Sequence, residues 1–394
     1  MKSAIPVGNR SRTAIAATLL AFVVAVTGCG AGSQDSDHPK PEERKITDVL
    51  GRTVTVRAPA ERILLGGQRL LYTTALLNRD DPTRNVVGWP DDLEQNDPDT
   101  WDLYRKKFPQ AERITKTGEV WDGSLSAEQA LSVRPDVFVV SAASFKAAQS
   151  AGIVDRLERA GIPTVVIDYF VEPVKHTTAS VRILGELLGR QAEAEKFAGY
   201  YDAKIGEVRE RLARANAPRT PTFVWRAPGY YDCCSTFARS NLAALVTEAG
   251  GANLGDQMIS TPQGTVSPEA VIRSNPDVVL ATGADWAPGK SPVKPGGYIS
   301  LGYRETATAA SDQLRVVLAQ QPGFGELRAV RDRRAFGIWH HFYDSPYNYL
   351  GVQWIGKALH PNLFGDVDPA SGLQELHEKF LPIPSSGTFW TGLG

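Results

Sequence analysis

Side chains able to grip a polar, partly aromatic ligand cluster just beyond short hydrophobic runs of this sequence. Gly67, Gln68 and Arg69 follow ILL, Trp89 closes NVVGW, Ser141 and Ser144 follow VFVV, and Tyr169 and Phe170 follow TVVID. In the second half Arg226 follows TPTFVW, with Tyr230 and Tyr231 close behind it. Trp286 follows VVLATG, and His340, His341 and Tyr343 follow AFGIW. Guanidinium groups make bidentate contacts with carboxylates or other anionic oxygens, and aromatic faces cover rings, so this set suits a bulky, partly apolar ligand carrying anionic oxygens. Trp89, Trp286 and Phe170 have core packing as their alternative role. His340 and His341 are adjacent and cannot face the same way, so at most one is expected to touch ligand.

Other chemistries are less well signalled. GxSxG, Walker A and a credible SxxK are missing, so neither a hydrolase nor an NTPase is indicated. An exported enzyme would have to use Cys233, or a Ser with His340 or His341. Tyr, Asp and His could hold a metal ion directly, but there is no HExxH and no His pair at i, i+4, so no resident metal or cofactor is expected. With 43 basic and 44 acidic residues the net charge is −1, and no basic block lies outside the N-terminus, which argues against a nucleic-acid partner.

The elements that must position these residues follow from the same runs. RILLGG, NVVGWP, DVFVVS and PTVVIDY in the first half, and TPTFVWR, DVVLATG and RAFGIWH in the second, are short and β-branched without alternation, as buried parallel strands are. In such sheets ligands bind beyond the carboxyl ends of the strands. ITDVLGRTVTV reads as a hairpin turning near Gly51.

SAEQALSVRPDVFVV from Ser126 and SPEAVIRSNPDVVLA from Ser267 repeat one unit: a capped helix with Glu128 or Glu269 in its first turn, a stop at Pro135 or Pro276, then a strand. Between the halves, residues 174–217 hold helical patterns without proline, including a piece of about 39 Å if unbroken. The predicted fold class is α/β: two Rossmann-like lobes with mostly parallel sheets, joined by a long rigid helix, with the ligand cleft between them. The expected bounds are 46–175 for the first lobe, 176–216 for the connecting helices and 217–394 for the second lobe.

At the N-terminus Lys2, Arg10 and Arg12 precede TAIAATLLAFVVAV, a run too short to span a bilayer and typical of an export signal. VTGC after it resembles the lipobox of bacterial lipoproteins, which implies a signal peptide over 1–28, an acylated Cys29 and a flexible tether over 29–45. The protein is then expected in the cell envelope, lipid-anchored outside the cytoplasmic membrane. Cys233 and Cys234 remain as an adjacent pair, for which an oxidising compartment favours a vicinal disulfide over soft metal ligation or plain packing.

Lipobox, hairpin, paired helix–Pro-Asp–strand units and long connecting helix together resemble the metal-chelate class of ABC-importer solute-binding proteins, over nearly all of the chain beyond the signal. The resemblance implies a monomer that takes a ferric siderophore, haem or cobalamin between its lobes and hands it to ABC permease subunits. It also implies that Tyr230 and Tyr231 lie on a ligand-contacting loop and that Glu128 and Glu269 dock onto permease arginines. A sensing lipoprotein of the same fold is the remaining alternative.

Overall fold

The computed structural model describes residues 40–286 and 297–393. Strands Glu42–Thr47 and Thr53–Ala58 pair antiparallel in the expected hairpin, with Gly51 at positive φ in its turn. The pairing begins at Glu42, inside the span expected as tether, because Glu42 opposite Ala58 continues the register.

The first lobe is a five-stranded, wholly parallel sheet ordered Thr115–Lys116, Val86–Trp89, Ile63–Leu65, Val137–Ser141, Thr164–Ile167. Its runs are hydrophobic throughout because both faces are covered. Ile63, Leu65, Val137, Val139, Val165 and Ile167 enter the main core, while Leu64, Phe138, Val140 and Val166 enter a second cluster on the opposite face.

The second lobe has the order Gly251–Asn253, Thr220–Trp225, Val278–Gly283, Ala335–Trp339, Trp390–Gly392, in which only the last pairing is antiparallel. A separate small hairpin joins Ser235–Phe237 to Gln263–Thr265.

The repeated unit is built alike in both lobes. Ser126 caps helix Ala127–Ser132 in a capping box with Gln129, and Ser267 caps helix Pro268–Ser274. Arg134 and Asn275, which precede the two prolines, leave the helical region as expected, but both adopt positive φ. Asp136 then accepts the Glu61 and Arg62 N–H groups, both at 2.9 Å, and Asp277 takes Arg328 at 2.6 Å, so each Pro-Asp pins a central strand to its neighbourhood.

The lobes are joined by two helices, Pro173–Leu187 and Gln191–Arg214, the second about 36 Å long by its 24 residues. They lie close because Gly185 has no side chain: a Cβ there would sit 2.4 Å from that of Ala194. Each touches helix Leu71–Leu77 of the first lobe and helix Asn348–Leu359 of the second. Asn348 binds them together, accepting from the Tyr201 hydroxyl at 2.7 Å and donating to Thr177 at 2.8 Å.

The main core runs through both lobes without a break. Directly across the seam, the Tyr347 hydroxyl donates to the Tyr72 carbonyl at 2.8 Å, Arg79 donates to the Leu381 carbonyl at 2.9 Å, and the Tyr303 N–H donates to Asp99. A seam this well bonded resists hinge bending. Among the described residues no helix is long and apolar enough to cross a membrane.

Candidate functional site

A cavity of about 350 Å³ lies between the lobes at the carboxyl ends of the strands. After Ile63–Leu65 the chain is pinned by Gly66, whose N–H donates to the Val139 carbonyl at 2.7 Å. A short turn, Gln68–Leu70, then aims Arg69 into the cleft. Asp92, the first residue of the helix Asp92–Asn96 that follows Val86–Trp89, accepts the Gln68 N–H at 2.5 Å and Arg69 Nε at 2.6 Å. Arg69 Nη1 reaches the other lobe, donating to the Tyr343 hydroxyl at 2.7 Å and to Asp344. Burial opposes the Arg69 charge, but Asp344, Tyr343 and Asp92 hold its guanidinium above the ordinary range. Arg69 therefore clamps the lobes and has its charge matched before any ligand arrives.

Arg226 is placed differently. Its backbone N–H donates to the Ser235 carbonyl, and its guanidinium lies 4.0 Å from the Tyr231 ring centre while donating to the Tyr231 hydroxyl at 2.9 Å. Its Nε is buried without a partner, and among the described residues it makes no ion pair. This guanidinium stands ready for an anionic group.

The walls are aromatic. Phe170 meets Tyr343 edge-on at 5.3 Å, Trp121 lies 6.2 Å from Phe170, and Tyr169 is buttressed by a 2.9 Å hydrogen bond from Thr73. Trp121 is 56% exposed and Tyr231 40% exposed, so both stand at the cavity's mouth. Ser141 caps the helix Ala142–Ser150 by accepting from the Ser144 N–H, and both serines line the cavity. Glu119 lines it too; burial, then the nearby Asp92 carboxylate, push its carboxyl up to about 7.

Of the residues expected to meet ligand, Gly67, Arg69, Ser141, Ser144, Tyr169, Phe170, Arg226, Tyr231 and Tyr343 line this cavity. Gln68, Trp89, Tyr230, Trp286, His340 and His341 do not. Trp89 is buried in the first lobe against Trp101. Trp286 packs with Tyr230, Tyr298 and His340 in a satellite cluster of the second lobe.

Both histidines serve the protein itself. His340 Nδ1 shares a 2.8 Å hydrogen bond with Thr282, and burial keeps its ring well below the usual histidine range. His341 Nε2 bonds the Asn96 carbonyl across the seam at 2.9 Å. They occupy the inner side of the turn His340–Tyr343, which leaves its far end, Tyr343 and Asp344, to reach the cleft.

Asp92, Glu119, Trp121, Phe237, Gln263 and Asp344 also line the cavity and were not anticipated. Glu119 and Trp121 follow a strand of two residues, Thr115–Lys116, too short to carry a β signal. Asp92 was within reach, since it follows directly on a strand run that was read. With these residues added, two guanidinium groups face three carboxyl groups, so the cavity is not the mainly cationic one expected.

Cys233 and Cys234 are joined in a vicinal disulfide, with Cys234 fully buried. Glu128 and Glu269 are exposed, far from any role in the core, and Glu128 pairs with Arg156. Cys29 lies outside the described residues.

Known proteins share this architecture. The chain is 21% identical over 369 residues to YvrC of Bacillus subtilis strain 168, described as an uncharacterized ABC transporter substrate-binding lipoprotein, covering 90% of this chain and 99% of that one. It is 22% identical over 369 residues to the molybdate-binding protein MolA of Haemophilus influenzae, covering 86% and 91%. Among solved structures, the TroA-like periplasmic binding protein FepB from Veillonella parvula superposes with a TM-score of 0.79 at 26% identity, over 89% of this chain and 99% of its own. The sequence profile of the periplasmic binding protein family matches residues 86–338, from the second strand of the first lobe through the helix pair to the fourth strand of the second, and the chain belongs to that family.

Proposed function

We propose that this protein is the extracytoplasmic substrate-binding component of an ABC importer, capturing an iron siderophore or similar metal chelate and delivering it to the permease. The observation that carries this reading is the interlobe cavity itself. It combines aromatic walls with Arg226, a guanidinium that has no carboxylate of its own, and its volume falls at the lower end of the roughly 300–1,000 Å³ usual for small-molecule sites. Among the described residues no three His, Cys, Asp or Glu side chains converge as a metal cage, which favours a ligand that brings its metal already wrapped. YvrC, by its description, supports the importer assignment.

A compact oxyanion, such as the molybdate of MolA's name, is the second reading, favoured by the modest volume and the lone Arg226. Thermal-shift titration with ferric catecholates, ferric hydroxamates, haemin and molybdate separates the two. A ligand present at 100 times its dissociation constant adds about 2.7 kcal/mol of stability. If none of these raises the unfolding temperature, the capture role is wrong.

Arg226→Ala should weaken the ligand so identified by about ten- to a hundredfold, the loss of a charge-assisted hydrogen bond of about 1.5–3 kcal/mol. Unchanged affinity by calorimetry would place the ligand's anionic group elsewhere.

Membrane attachment is assigned to acylated Cys29, after the lipobox-like VTGC. Cys29→Ala should move the protein from membranes to the soluble fraction, since stable anchoring needs its acyl chains. Retention after high-salt washing would refute the anchor.

A further inference from the structure

The cavity proposed above to hold the ligand is lined by unpaired charges of both signs. Arg226 comes from the second lobe with Tyr231. Glu119 comes from the loop that follows Thr115–Lys116 of the first lobe, with Trp121 two residues along the same loop and Phe170 6.2 Å from that indole. Arg69, the remaining cation, is spent on Asp92 and Asp344. Glu119 makes no ion pair among the described residues, so an unmatched carboxyl and an unmatched guanidinium line one cavity from opposite lobes.

The charged groups that act most on Glu119 are Asp92 and Asp91 after Val86–Trp89, Arg69 from the turn after Ile63–Leu65, and Asp122 from its own loop.

The backbone that carries Glu119 is held in place. Its loop is stapled by the Glu119 N–H donating to Ser124 Oγ at 2.8 Å and the Leu125 N–H donating to the Glu119 carbonyl at 3.1 Å. Gly118 abuts the Ser124 backbone so closely that a Cβ there would lie 2.2 Å from it. Val120, between Glu119 and Trp121, is buried in the second core cluster and anchors the loop from below.

A carboxylate near exposed aromatic faces suits an alkylammonium group, combining an ion pair with cation–π attraction. We infer that the ligand of this cavity is bipolar: Glu119, Trp121 and Phe170 of the first lobe receive a cationic amine, and Arg226 with Tyr231 of the second lobe receives anionic oxygens. The inference rests on the chelate-binding reading and narrows it to chelates that carry a free amine.

Its electrostatics makes the site pH-dependent in a stated direction. Burial, and then the Asp92 carboxylate, push the Glu119 carboxyl up to about 7. An amine ligand needs it ionised, so affinity should be full above that pH and fall as pH drops through it, with a proton released on binding. The ligand's own ammonium, near pKa 10.4, stays charged throughout.

The test compares two ferric chelates that differ in one group. One is the iron complex of a linear trihydroxamate ending in a primary amine; the other is the same complex after N-acetylation. Binding is followed by quenching of tryptophan fluorescence at about pH 8 and about pH 5.5, on either side of the Glu119 titration. At the higher pH the amine form should bind at least about tenfold more tightly. At the lower pH the two should converge, and in Glu119→Gln they should bind alike at both. Trp121→Ala should reduce the preference without abolishing it.

Equal binding of the two chelates by the parent protein at the higher pH overturns the amine site and leaves chelate capture standing. A preference that survives in Glu119→Gln also overturns it. Binding of neither chelate overturns the inference together with the chelate reading on which it rests.

Discussion

Arg69→Ala should destabilise the protein by about 3 kcal/mol, the lower end of what removing one partner of a buried ion pair costs. The reason is what Arg69 leaves behind. Asp92, almost wholly buried, would keep the Gln68 N–H but lose its cation, and Asp344 would face it across the cleft with no charge between them. The seam would also lose the hydrogen bond from Arg69 to the Tyr343 hydroxyl. Thermal unfolding measures the loss directly.

Arg69→Lys should recover only part of it, because an ammonium cannot reproduce the fork that serves Asp92 through Nε and Tyr343 and Asp344 through Nη1. Combining Arg69→Met with Asp92→Asn and Asp344→Asn should recover more, since it removes both stranded carboxylates together with the guanidinium. An Arg69→Ala protein that unfolds at the parent's temperature but binds its ligand tenfold more weakly would return Arg69 to the ligand-contact role first read from the sequence, and the clamp would be wrong.

The double variant Glu128→Lys with Glu269→Lys should lose transport by tenfold or more while binding ligand as the parent does. Both glutamates stand exposed in the first turn of a short capped helix, one on each lobe, and neither lines the cavity. Their own backbone N–H groups are the foremost cause that holds both carboxyls below the usual range, so each carries a full negative charge at neutral pH. Glu128 pairs with Arg156 at the surface, and such pairs contribute little to stability.

The prediction rests on the docking role expected for Glu128 and Glu269: two matched anionic knobs suit a permease with two related halves, and on that reading reversing their charge replaces attraction with repulsion at both. Ligand titration and stimulation of permease ATPase, measured on the same preparation, separate binding from delivery. Normal stimulation by the double variant would leave the repeat as fold symmetry with two well-capped helices.

Much of this protein was determined by local sequence. The seven strand runs that were read are strands, because a fully covered parallel strand must be hydrophobic at every position and few other segments are. The two capped helices and their Pro-Asp stops formed where Ser126, Ser267, Pro135 and Pro276 dictate, since caps and prolines act within a few residues of themselves. Because the residues were read at strand ends, nine of those expected were brought to one cavity.

Tertiary structure decided the rest. Strands such as Thr115–Lys116 and Gly251–Asn253 exist through their neighbours' hydrogen bonds rather than through their own composition, and the loop bearing Glu119 and Trp121 was hidden with the first of them. Whether a strand-end aromatic faces core or cleft, as with Trp89 and Phe170, depends on the twist of the sheet and on the layer packed against it. The division of labour between the two arginines was likewise invisible: Arg69 and Arg226 both follow strands in sequence, but only folding brings Asp92 and Asp344 to the first and leaves the second without a counterion among the described residues. A charge becomes a binding group or a structural clamp according to what lies within about 4 Å of it, and for Arg69 that is set by residues 23 and 275 positions away.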